Sequence, residues 1–256
     1  MTPVRPEFVP DPSQSRAEME ALQRRVAEAA RFDDDVAFDP SAVSLAPDAS
    51  LDGDRPIVAG VDQAFLDDRA VSAVVCLRGG EVVERAHAVT PLEIPYVPGL
   101  LSFREGGPIL AAFEALSSVP DLVVFDGSGR IHYRQAGLAT HLGVVLDVPS
   151  VGVAKNLLCG RVEADTDGRP AGWRAPVVAD EDVDAPAGTV LGYAYQSRQY
   201  DSNPVVNPLY VSPGHRVSAE TAVRLVERLR DGYKLPEPTR LADAYADERK
   251  AALAEE

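Results

Sequence analysis

The chain has 256 residues, 45% of them hydrophobic, enough to bury a sizeable core as one domain. It has no run of about 18 apolar residues such as a membrane span needs and no apolar stretch of signal-peptide type in its first thirty residues, which predicts a soluble, cytoplasmic protein without a membrane partner. Asp and Glu number 40 against 25 Lys and Arg, a formal net charge of −15, the opposite of the basic footprint of a protein that grips nucleic acid through its phosphates.

The same acidity suits a chain that works in molar salt, where the Debye length is about 3 Å and repulsion between surface carboxylates is screened. The composition is read as haloarchaeal in type. Phosphate contacts would then contribute little affinity, because counterion release drives binding less as salt rises. The 2 cysteines, Cys76 and Cys159, have no C-x-x-C spacing and read as reduced structural thiols.

In chain order, residues 1–14 are polar and proline-rich. A helix is predicted from Ser15, whose pairing with Glu18 is a capping box and whose apolar face carries Met19, Leu22, Val26 and Ala29. An acidic linker at 32–56 follows, so residues 1–56 read as an N-terminal helix and linker, and 57–250 as the main domain. Three strands at 57–65, 70–77 and 81–89, joined by Asp-Asp and Gly-Gly turns, make an antiparallel meander. A helix over 101–116 should carry Gly106, Gly107 and Pro108 near its first turns. Short apolar strands at 121–126 and 150–154 alternate with a helix over about 134–146, the pattern of parallel strands covered on both faces.

Residues 161–188, polar and rich in Gly, Pro and Asp around Trp173, read as a surface insertion, part of which can form a hairpin. Strands at 189–196 and 207–214 precede a helix capped by Ser218 and a last helix capped by Thr239. The predicted fold is a mixed α/β sheet of three antiparallel strands plus parallel strands, flanked by helices in a single domain.

Four carboxylates draw attention on this frame. Asp62 lies within the first strand, Asp126 ends the fourth, Glu105 opens the helix between them and Asp243 opens the last. If the first and fourth strands are neighbours, Asp62 and Asp126 face one another, which is costly unless a cation or hydrogen bonds compensate. Carboxylates without an Arg or Lys partner suit hard divalent ions such as Mg²⁺, and two such ions about 4 Å apart can clamp a phosphodiester. Blander readings exist: Ser102 with Glu105 fits a capping box, Asp126-Gly127 a turn pair and Asp243 a helix-start acid.

The segments "IVAGVDQAF", "PYVPGLLSFREGGPILAAFEAL", "PDLVVFDGSGRIHYRQAGLATHLGVVLDVPSVGVAKNLLCG" and "PLYVSPGHRVSAETAVRLVERLRDGYKLPEPTRLADAYA", across most of 57–247, resemble the endonuclease V family of deoxyinosine 3′-endonucleases. The resemblance implies an RNase H-like fold and hydrolysis of the second phosphodiester bond 3′ to a deaminated adenine, with Mg²⁺ or Mn²⁺ as cofactor. It also implies a monomer acting on deoxyinosine-containing DNA. Asp62 and Asp126 would be metal ligands, Glu105 and Asp243 would complete the acidic cluster, and Lys155 would meet the scissile phosphate. Tyr96, beside Pro95, would be the wedge that fills the gap left by an extruded base.

The backbone amides around Gly127 and Gly129 would line the hypoxanthine pocket, since glycine permits close approach of the backbone, and His132 would contact a phosphate or the lesion strand. The run "SGRIHYRQAG" departs from the family's usual histidine-proline-arginine pattern, with Tyr133 in place of proline, so a plain turn histidine is an equal reading for His132. His141 and His215 read as structural. Two alternatives stay open: a ribonuclease of the same fold acting on inosine in RNA, since nothing in the sequence reports on a 2′-OH, and a catalytically silent nucleic-acid-binding protein, suggested by the net acidity.

Overall fold

A computed structural model describes residues 1–46 and 55–254, so part of the linker predicted at 32–56 lies outside the described residues. The strands are β1 (Val58–Leu66), β2 (Arg69–Arg78), β3 (Glu81–Pro91), β4 (Leu122–Asp126), β5 (Ser150–Ala154), β6 (Arg161–Val162), β7 (Arg174–Val178), β8 (Val190–Tyr195) and β9 (Leu209–His215). The helices are α1 (Arg16–Ala29), α2 (Leu101–Glu114), α3 (Leu138–Leu146), α4 (Ala219–Arg228) and α5 (Glu237–Ala254). The described strands form one sheet in the order β3-β2-β1-β4-β5-β9-β8-β7-β6.

The pair β1–β4 and the pair β4–β5 are parallel and the remaining pairs antiparallel, so the mixed sheet and the central β1–β4 neighbourhood are as expected. The meander closes because Asp67 takes the left-handed conformation (φ 38°) in the two-residue β1–β2 turn, a geometry that aspartate tolerates better than most residues. Strands β4 and β5 read as continuous apolar runs because helices cover both their faces. On one face Val61, Val123 and Phe125 pack with Phe103, Phe113 and Leu142 of α2 and α3. On the other, Val124, Val151 and Val211 meet Val223 and Val226 of α4, while Val75 and Ala73 meet Ala242 and Ala246 of α5. Met19, Leu22 and Val26 of α1 belong to the first of these cores, so the N-terminal helix is an integral layer of the domain. Among the described residues no helix is long and apolar enough to cross a membrane.

Several expectations are corrected. The Ser15–Glu18 capping box forms, but Ser102 caps nothing: α2 starts at Leu101 behind Leu100, and the Ser102 hydroxyl pairs with His141 Nδ1 at 2.9 Å. The His141 Nε2–H donates to Phe8 O at 2.8 Å, which leaves Nδ1 to accept from that hydroxyl. Gly106, Gly107 and Pro108 lie in the middle of α2 rather than in its first turn. Packing dictates this placement, since a Cβ on Gly106 would come within 2.6 Å of Pro10.

The predicted helix over 134–146 begins only at Leu138, because residues 128–137 form a pinned loop. The stretch 161–188 contributes β6 and β7, which extend the sheet beyond β8, and buries Ala175, Val177, Val178 and Val183; it is a sheet margin as well as a surface insertion. Helix α5 starts at Glu237, two residues before the expected cap, and Thr239 is buried within it, donating its hydroxyl to Pro236 O at 3.0 Å. Both cysteines are free and buried as expected, their thiols pushed up to about 12 by burial.

Candidate active site

The paired register of β1 and β4 ends at Val61 opposite Phe125, so Asp62 and Asp126 are the next residues on two adjacent parallel strands. Alternation along each strand puts both on the α5 face, with Val58 and Val124. Gly60, on that same face, lies under the start of α5: a Cβ there would be 2.0 Å from the Pro238 carbonyl. This close approach lets α5 cross the carboxyl end of β1 and bring Asp243, in its second turn, over the same spot. Glu105 arrives from α2.

Together Asp62, Glu105, Asp126, Asp243 and Lys155 line one cleft of about 690 Å³ at the carboxyl ends of the parallel strands, where open α/β sheets characteristically bind ligands. The structure therefore brings together every residue expected to carry the chemistry.

The electrostatics of the floor are unbalanced. The Gln63 N–H donates to Asp62 Oδ1 at 2.7 Å, but Asp62 Oδ2 is buried without a partner. Burial, and after it the Asp126 charge, pushes the Asp62 carboxyl up to about 8, against the pull of the Gln63 N–H and Lys155. Burial likewise raises Glu105 to about 7, with Asp126 adding to the shift and Arg104 opposing it. Lys155 follows β5 and donates to Asp126 Oδ2 at 2.8 Å; burial alone would lower its ammonium, and the neighbouring Asp126 carboxylate outweighs that and raises it.

Among the described residues no three carboxylate, imidazole or thiol groups are drawn together into a ready metal shell. The donor set still fits a hard cation, because an orphaned buried carboxylate oxygen and two carboxyls held toward neutrality are what a divalent ion would relieve.

The remaining expected residues divide. Tyr96 is 61% exposed at the rim of the cleft, and Pro95 is exposed beside it. Gly127 borders the cleft, yet its amide donates to Val153 O at 2.9 Å. The Gly129 amide donates to Ser212 Oγ at 2.9 Å. The loop after β4 is pinned across β5 and β9, so these two N–H groups are spent, while the backbone at Gly127 and Ser128 still lines the cleft.

His132 is buried in the cleft wall, accepts the Arg134 N–H at Nδ1 (3.1 Å) and donates from Nε2 to Gly99 O at 3.0 Å. Burial pushes it down to about 4, so it is a neutral strut of the wall. His215 bridges the Arg31 amide and Asp147, a structural tie.

Sequence reasoning missed Gln63, whose side-chain amide reaches Ser72 and, at 3.5 Å, Glu105 O, and Gln23, which α1 places in the same wall. Gln23 left a signal: it is a polar residue set among Met19, Leu22 and Val26 on the buried helical face.

Comparison with known proteins identifies the family. The family model for endonuclease V matches residues 41–244. The chain is 62% identical to endonuclease V of Haloarcula marismortui over 98% of both chains. It is similar to the solved endonuclease V of Streptomyces avermitilis, with 33% identity, a TM-score of 0.76 and coverage of 99% of this chain and 100% of that one. It is also similar to Ciona intestinalis endonuclease V solved with a 24mer DNA containing an inosine followed by a ribo-adenosine, with 25% identity, a TM-score of 0.72 and coverage of 93% and 98%. With its carboxylates gathered at the ends of β1 and β4, the chain belongs to the endonuclease V family of nucleases.

Proposed function

We propose that this protein is a deoxyinosine-directed DNA-repair endonuclease that hydrolyses the second phosphodiester bond 3′ to the lesion, with Mg²⁺ or Mn²⁺ as its cofactor. The observation that carries the reading is the Asp62–Asp126 pair at the floor of the cleft, with Asp62 Oδ2 buried and unpartnered. The Ciona relative solved with inosine-containing DNA supports the choice of lesion.

Asp62 and Asp126 would hold the cation, with Glu105 and Asp243 completing the set; a bound divalent ion supplies a Lewis acid for a phosphate oxygen and lowers the pKa of its water. Glu105 or Asp243 orients the attacking water. Lys155 turns its ammonium from Asp126 toward the phosphate, where charge grows in the transition state. Tyr96, on the exposed rim, fills the gap in the stack when the base leaves it. A cleft of about 690 Å³ is ample for one flipped base.

The test uses end-labelled oligonucleotides carrying one deoxyinosine or one ribo-inosine, incubated in molar KCl with Mg²⁺, and an Asp126→Ala control. A single nick one nucleotide beyond the lesion in DNA, lost in the variant, is the expected result. Cleavage of the ribo-inosine strand alone would make the protein a ribonuclease, and no cleavage of either strand would overturn the reading.

A further inference from the structure

Among the described residues, two glutamines of the cleft lining, Gln63 beside Asp62 and Gln23 of α1 beside the wedge loop, keep a buried side-chain oxygen without a partner. Gln23 of α1 is fully buried and lines the cleft. Its Nε2 donates to Gly99 O at 2.8 Å, and its Oε1 is buried with no partner. The orientation of the amide is fixed by chemistry: a backbone carbonyl can only accept, so the NH₂ end must face Gly99 and the oxygen must face away.

His132 fills the second lone pair of the same carbonyl. Its Nδ1 accepts from the Arg134 N–H, so its Nε2 carries the proton that it gives to Gly99 O at 3.0 Å. The Gly99 carbonyl is thereby saturated. Gly99 itself is held at φ 79°, where a side chain would be strained and would press on Tyr133. Beside Gly99, the acceptor left over is Gln23 Oε1.

This geometry selects among bases. Hypoxanthine presents an N1–H donor on its Watson–Crick edge, whereas adenine presents a bare N1 acceptor, and flipped bases are read along that edge. Resting on the inosine reading above, we propose that Gln23 is a specificity-determining residue whose Oε1 accepts the N1–H of the extruded hypoxanthine. Adenine at the same place would set two acceptors against each other. The cost of leaving a buried acceptor unpaired in the empty cleft then has a functional counterpart, and α1 becomes part of the reading head.

The experiment measures binding of fluorescent single strands by anisotropy without divalent ion, and cleavage efficiency with Mg²⁺. The strands carry deoxyinosine, deoxyadenosine or deoxynebularine, a purine with a bare N1 and no N1–H. Wild-type protein should favour inosine over both. Gln23→Leu and Gln23→Met should each narrow the inosine-to-nebularine ratio about tenfold, the value of one neutral hydrogen bond in a buried site, whatever common loss both strands share from the broken Gln23–Gly99 bond.

Melting temperatures identify any variant that fails to fold, and the other then carries the comparison. An equal loss on all three strands would make Gln23 a structural tie between α1 and the wedge loop and overturn the proposal, as would an unchanged ratio. Wild-type protein indifferent to inosine would overturn the inosine reading itself and the role of Gln23 with it.

Discussion

Asp62 is held where an ionised carboxylate is expensive, and that expense has a pH signature. Its ordinary value is 3.8 and burial with the Asp126 charge raises it to about 8 in the folded chain. Below pH 4 it is protonated in both folded and unfolded chains and costs nothing. Between 4 and 8 the unfolded chain ionises first, so stability falls as pH rises, by up to about 1.4 kcal/mol per pH unit. Asp62→Asn should therefore melt higher than wild type at pH 8 in EDTA, with the gain shrinking toward pH 5, while abolishing cleavage. Added Mg²⁺ should raise the wild-type melting temperature more than that of the variant. A variant that melts lower than wild type at pH 8 would remove the uncompensated carboxylate from this account. Asp62 was legible in sequence because aspartate is depleted inside strands, whereas Asp126, which also reads as a turn pair with Gly127, stood out only through its placement beside Asp62. That the Gly127 and Gly129 N–H groups are spent was not legible, because their partners, Val153 and Ser212, lie on strands far along the chain.

Elements deliver these residues, and the crossing of α5 over β1 is the tightest such delivery. A Cβ on Gly60 would lie 2.0 Å from the Pro238 carbonyl, a backbone group that cannot rotate away. Gly60→Ala should cost about 2–3 kcal/mol, lowering the melting temperature by roughly 4–12 °C, and should depress cleavage beyond what unfolding explains, because α5 carries Asp243 with it. Gly107→Ala is the contrast: it sits within α2 with open space around its Cβ position, so it should gain about 0.5–1 kcal/mol of helix stability and leave activity intact. Thermal unfolding and single-turnover cleavage of the two variants check both statements. Strand and helix order was readable from hydrophobic period. Element boundaries failed wherever a tertiary contact outcompeted a local signal: Ser102 serves His141 rather than a cap, and Thr239 is buried in α5 rather than opening it. The 161–188 segment forms the antiparallel β6–β7 pairing allowed for it, but its place at the sheet margin was hidden because its polar turns outnumber the few buried residues of β7.

At the scale of the whole molecule, the excess of acid sets the conditions in which everything else operates. A net charge of −15 gives a self-repulsion that no internal pairing removes. Ion pairs such as Arg16–Glu20 and Arg224–Glu220 are exposed helical-spacing contacts worth a few tenths of a kcal/mol each. Salt weakens these pairs but also screens the repulsion, and because the repulsion involves more charges it should win. The melting temperature should therefore climb as KCl is raised from 0.1 to about 2 M. Affinity for an inosine-bearing strand should fall with salt along a shallow line, because each phosphate contact adds about one unit of slope and few cations border the cleft. Site recognition would then rest on the pocket wall and the carboxylates, which high salt screens least. A melting temperature that falls steadily with KCl would show that the surface pairs outweigh the repulsion and would refute the salt-adapted reading of this composition.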